Sequence, residues 1–99
     1  MRPKGTIPAA VRVIQLRVAF YYGVTFDDLL APGRTARVAW PRQVAMFLAS
    51  RNTDVGCVLI GRAFNRTGWT VTHAERTVRN ACSTEPDRAK QVKELEGMV

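Results

Sequence analysis

The stretch AFNRTGWTVTHAERTV, residues 63–78, gathers the side chains of this chain best suited to chemistry. Val71, Ala74 and Val78 recur at helical spacing and turn inward, so Thr70, His73, Arg76, Thr77 and Asn80 must face out. Hydroxyls, an imidazole and guanidinium groups on one helix face, behind a turn offering Arg66, Thr67 and Gly68, suit hydrogen bonding to base edges and phosphates. They do not suit catalysis. His73 is the only histidine, and nothing marks a nucleophile and an orienting acid to complete a triad with it. Its alternatives are a solvated surface residue or a phosphate or base contact. Asp27, Asp28 and Glu75 read as capping or solvated charges, because a helix dipole favours acids in the first turn. Gly56 and Gly61 have the glycine spacing of a phosphate-binding loop, but Arg62-Ala63 follow where Lys and Ser or Thr are required. The reading is of a non-enzyme, with no metal and no cofactor.

Charge names the partner class. The 99 residues carry 15 Lys plus Arg against 8 Asp plus Glu, a net +7. Residues 1–83 hold 12 basic and 4 acidic residues, a surplus of 8, whereas residues 84–99 hold 3 and 4. All but one of those twelve are arginine, whose forked donors fit phosphate and guanine. A basic body with a near-neutral tail implies a polyanionic partner, most simply nucleic acid. The competing explanation is a generally basic protein with no such partner.

The outward face must be held by other elements, and the periodicity is helical almost throughout. Val11, Ile14, Val18 and Tyr21 mark a first helix between Pro8 and Gly23. TFDDLLAP reads as a short second helix capped by Thr25 and stopped at Pro32-Gly33. GRTARVAW, with Arg34 and Arg37, reads as a basic connector, and Pro41 as the first position of a third helix burying Val44, Phe47 and Leu48. Asp54 is expected to cap a fourth helix packing Val55, Val58, Leu59 and Cys57, closed by Phe64. Thr67 is expected to cap the fifth. Thr84-Glu85-Pro86-Asp87 opens a last helix with Ala89, Val92 and Leu95 inward. No strand pattern, repeat or low-complexity linker appears. The fold class is an all-α compact bundle with a helix-turn-helix, residues 1–83 forming the basic domain and 84–99 a helix packed on it or extending from it.

Cys57 and Cys82 lie in apolar stretches and read as buried free thiols of an intracellular protein. No apolar run reaches the ~18 residues of a membrane span. Arginines interrupt the N-terminal apolar stretch, unlike a signal peptide, so a cytoplasmic location is expected. Trp40 and Trp69 read as packing residues, Trp69 the less clearly because it stands at the end of the helix that would meet DNA.

At VAFYYGVTFDDLL, RVAWPRQVAMFLA and IGRAFNR…TVTHA the chain resembles the C-terminal DNA-binding domain of the bacterial replication initiator DnaA, from about Val18 to Val78. The resemblance implies an all-helical domain that binds short double-stranded boxes, with a loop arginine in the neighbouring minor groove. By position, Arg34 matches that arginine, and Arg42 and Gln43 match the Arg-Gln pair expected at phosphates. Arg66, Thr70 and His73 match members of the recognition-helix signature. The departures are at the site itself. Where the family usually has Arg-Asp-His-Ser/Thr-Thr-Val, this chain has Arg66-Thr67-Gly68-Trp69-Thr70-Val71. Trp40 stands where a basic residue is usual and Ser50 where lysine is usual.

The expectation is therefore a stand-alone or excised DnaA-like module serving replication or transcription control, with altered or relaxed sequence preference. Its expected contacts are Arg34, Arg37, Arg42, Gln43, Arg66, Thr67, Trp69, Thr70, His73 and Arg76. Double-stranded DNA is the first partner, with proteins of the transcription or replication machinery beside it. The alternative is a protein-interaction domain that kept the fold and lost base readout, with Trp40 and Trp69 as apolar anchors.

Overall fold

A computed structural model describes residues 7–33 and 35–99. Six helices follow in order: α1 (Ala9–Tyr22), α2 (Phe26–Leu30), α3 (Ala36–Asn52), α4 (Cys57–Ala63), α5 (Gly68–Thr84) and α6 (Pro86–Glu96). No strand occurs among the described residues. The long α3 is the spine, with α1 and α5 packed along it and α4 braced against α5. Val11, Ile14 and Val18 of α1 meet Val44, Phe47 and Leu48 of α3 and Val71, Ala74 and Val78 of α5 in one buried cluster.

The local signals are chemical. Gly23 ends α1 at φ 69°, a left-handed conformation that glycine adopts without Cβ strain. Thr25 and Asp28 close a capping box on α2, each side chain bonding the other's backbone N–H at 3.0 Å. The Thr25 N–H holds the Asp28 carboxyl below its ordinary pKa, and Arg37 adds to this.

The third helix corrects the expected boundary. It starts at Ala36, so Arg37 and Trp40 are helical and Pro41 lies inside the helix. Proline there withholds the N–H that would bond the Arg37 carbonyl, but Arg37 is exposed and water can serve that oxygen. Burial of Val38 and Trp40 draws the segment into the helix. The Trp40 indole N–H points at Tyr22 Oη (3.0 Å) and Gln91 Oε1 (3.1 Å), and the Arg88 guanidinium lies 4.2 Å from its ring centroid. Trp40 is thus a hub joining α1, α3 and α6, which excludes it as an exposed anchor. The last helix is fastened there, with Val92 and Leu95 buried.

The fourth helix also departs from expectation. It starts after Gly56 rather than Asp54, and Val58 is 59% exposed while Ile60, Gly61 and Ala63 turn inward. Cys57 is exposed and Cys82 half-buried, so neither thiol is sealed in the core.

Candidate nucleic-acid interface

Helices α4 and α5 form the helix-turn-helix, and the turn is tighter than its sequence announces. The Arg66 N–H bonds the Gly61 carbonyl at 2.8 Å, and Asn65 takes φ 59°. Asparagine tolerates that left-handed conformation better than most residues. A Cβ on Gly61 would lie 2.6 Å from both the carbonyl carbon and oxygen of Thr67. This is why glycine stands there. Gly61 thus serves close packing rather than phosphate cradling, and Gly56 stands in open space at the N-cap of α4. Gln15, fully buried on α1, donates to the Ala63 carbonyl at 2.8 Å and so ties down the end of α4. Neither Asn65 nor Gln15 stood out in the sequence. The Asn65 signal was a turn residue just past a helix end; Gln15 carried none.

The inward set on α5 is Val71, Ala74, Val78 and Ala81. Trp69, His73 and Arg76 are exposed on its outer side, and Thr70 is half-buried. Trp69 is 74% exposed, yet its ring lies 6° from parallel with His73, centroids 5.3 Å apart. Thr67 occupies the N-cap position of α5 but its hydroxyl makes no capping bond. It lies 3.3 Å from the Thr70 hydroxyl instead. The expected cap is absent, and the first-turn N–H groups of α5 have no side-chain partner.

A groove of about 850 Å³ runs between α5, the start of α3 and the loop after α2. Arg42, Gln43, Arg66, Trp69, Thr70 and His73 all line it. The structure therefore gathers six of the expected contacts at one place. Arg37 and Arg76 are exposed but outside the groove wall, and the Arg37 guanidinium lies 3.6 Å from Asp28 Oδ2. Arg34 lies outside the described residues.

Arg42 differs most from expectation. It is only 6% exposed. Its Nε donates to the Leu29 carbonyl (2.8 Å), Nη1 to Gly33 (3.2 Å), and Nη2 to Asp28 (3.0 Å) and Ala31 (3.1 Å). The side chain expected at a phosphate is spent on backbone oxygens. A buried guanidinium is tolerable only when so satisfied. Burial, with the charge of Arg66 added, lowers its pKa. Arg66 is half-buried, bonds the carbonyls of Phe64 (2.7 Å) and Ala31 (2.9 Å), and has its pKa lowered by burial. With five donors on a guanidinium, it keeps N–H groups for the groove.

At the far end of the α3–α5 seam, Ser50 donates to Glu75 Oε1 at 2.8 Å. A neutral hydroxyl on a carboxylate thus replaces the usual lysine. No cluster of histidine, cysteine and acid that could hold a metal ion occurs among the described residues, and no described helix is long and apolar enough to cross a membrane.

Sequence comparison agrees with the geometry. Residues 11–78 match the family described as the bacterial dnaA protein helix-turn-helix, beginning some residues before the resemblance noted in the sequence. The chain is 38% identical over 96 residues to the chromosomal replication initiator protein DnaA of Methylacidiphilum infernorum, covering 96% of the chain and 21% of the relative. The DnaA of Caldanaerobacter subterraneus subsp. tengcongensis is 36% identical over 89 residues, with 90% and 20% covered. The DnaA of Thermoanaerobacter sp. strain X514 is 35% identical over the same length, again with 90% and 20% covered. The chain spans about a fifth of the length of these relatives. With its six-helix fold and its α4–turn–α5 unit, the chain belongs to the bacterial DnaA helix-turn-helix family of DNA-binding domains.

Proposed function

We propose that this domain binds double-stranded DNA by laying α5 in a major groove, N-terminus first, as a regulatory module of replication or transcription with relaxed preference for the usual DnaA box. The convergence of Gln43, Arg66, Trp69, Thr70 and His73 on one groove beneath the exposed face of α5 carries this reading. Arg66, Gln43, Arg76 and the uncapped first turn of α5 supply donors for phosphates. Arg37 adds charge beside them, and Arg34 is assigned to the neighbouring minor groove by its match in position to the family's loop arginine. Thr67 and Gly68 stand where an acid and an imidazole are usual, which removes two base-reading groups. Losing two good base contacts, each ~1–3 kcal/mol, lowers selectivity by on the order of 10²- to 10⁴-fold.

An electrophoretic mobility shift with random-sequence duplex at two salt concentrations tests this. Affinity should fall steeply with salt, because displaced counterions return to the phosphates. Affinity that stays flat would remove the DNA reading and favour a protein partner docked on the exposed indole of Trp69.

A further inference from the structure

We infer that Arg42 is a positioning residue, and that the Ala31 carbonyl, clasped by Arg42 from α3 and Arg66 from the recognition turn, locks the loop after α2 to the helix-turn-helix. This rests on the DNA-binding reading above and gives that site an internal joint. Four carbonyls of one short segment, at Asp28, Leu29, Ala31 and Gly33, converge on the Arg42 guanidinium. They belong to the end of α2 and the loop beyond it, where a five-residue helix leaves its last carbonyls without intrahelical partners. Arg66 reaches the same Ala31 oxygen from a residue 35 positions along the chain.

The arrangement sets two cations against each other. No carboxylate accepts from either guanidinium among the described residues: the Asp28 side chain faces Thr25 and Arg37. Two like charges held on one carbonyl repel, so the geometry persists through the carbonyls each one gathers. A loop held this way has its exit, at Gly33, fixed relative to α5. The residue after Gly33 is Arg34, the arginine expected in the minor groove. The loop end that precedes Arg34 is then held in one register with the recognition helix. Arg42 acts through them without touching phosphate.

Hydrogen exchange without DNA, and duplex titrations with A·T-rich and G·C-rich flanks, together test this. The Ala31 amide bonds the Asp27 carbonyl at 2.9 Å and reports the order of the loop root. Arg42→Ala and Arg66→Ala should each speed its exchange tenfold or more, and Arg42→Lys, which can still meet one or two carbonyls, should speed it less. Ala31 and Gly33 are exposed, so water can take over their carbonyls; the carbonyl of buried Leu29 loses its donor in Arg42→Ala, and Arg42→Lys is the variant in which the helices should stay folded. In titrations, Arg42→Ala should lose binding mainly on A·T-rich flanks, where arginine favours the narrow minor groove. Adding Arg34→Ala should then cost little more, because residues acting through one element are not additive. An equal loss on both flanks that adds to that of Arg34→Ala would make Arg42 a phosphate contact and overturn the inference. Unchanged exchange at Ala31 in both arginine variants would overturn it as well. If the unmodified chain binds no duplex, the DNA reading fails and exchange at Ala31 alone decides whether the joint exists.

Discussion

The indole of Trp69 lies face to face with the imidazole of His73, one helical turn further along α5, with 6° between their planes. The stack pins the largest exposed aromatic of the molecule across the groove wall where smaller residues are usual. Replacing Thr67→Asp, Gly68→His and Trp69→Thr together should raise preference for the DnaA box over scrambled duplex, measured by competition titration. The structure adds an obstacle. A Cβ on Gly68 would lie 3.2 Å from Cys57 Sγ and from the Val58 backbone nitrogen. Gly68→His alone should therefore lower thermal stability by about 1 kcal/mol or more, partly relieved by Cys57→Ala. An unmodified chain that already prefers the box a thousandfold would contradict the relaxed-specificity reading.

Gly61→Ala should be among the most disruptive small substitutions. Its methyl would meet Thr67 backbone atoms at 2.6 Å, which no side-chain rotation can relieve. Separating α4 from the recognition turn should cost about 1–3 kcal/mol or more and weaken duplex binding in parallel. Chemical denaturation reads the first effect; an unshifted midpoint would show that the two helices do not approach so closely.

Alkaline pH should loosen the junction of α1, α3 and α6. Burial pushes the Tyr22 hydroxyl up to about 12, only partly opposed by the hydrogen bond from Trp40. The folded state thus favours the protonated phenol. Its contribution is intact below the unfolded value near 10 and is lost as pH climbs toward 12. Stability measured across that window should fall, and Tyr22→Phe should fall less steeply while being less stable at neutral pH. Parallel profiles for the two proteins would place the alkaline transition elsewhere.

Removing the acid at the end of the seam should extend the DNA footprint. With Ser50 bonded to Glu75, the position usually lysine presents a hydroxyl on a carboxylate. Ser50→Lys combined with Glu75→Gln should steepen the dependence of log K on log salt by about 0.9, the signature of one added phosphate contact. Ser50→Lys alone should steepen it less, because Glu75 would pair with the new ammonium. An unchanged slope in the double variant would mean that DNA does not pass this edge.

Sequence by itself determined whatever depends on period, charge and local backbone chemistry. The inward stripe of α5 followed from Val71, Ala74 and Val78; the capping of α2 followed from Thr25; the end of α1 followed from Gly23. These features are local, and each residue carries its own reason. The family followed from short strings such as PRQVAMFLA, because docking one helix on another constrains contiguous residues. Tertiary structure decided what depends on partners distant in the chain. Trp40 pulled the start of α3 five residues ahead of Pro41, because burial against Tyr22 and Gln91 outweighed the local helix-breaking signal. Gly61 owes its identity to Thr67 passing across it. Arg42 looked like a phosphate contact, and became a buried clasp only when α2 ended against it and offered four carbonyls, of which that of Ala31 is shared with Arg66. A guanidinium can donate to phosphates or to backbone carbonyls, so its role is set by whichever acceptors the fold places within reach.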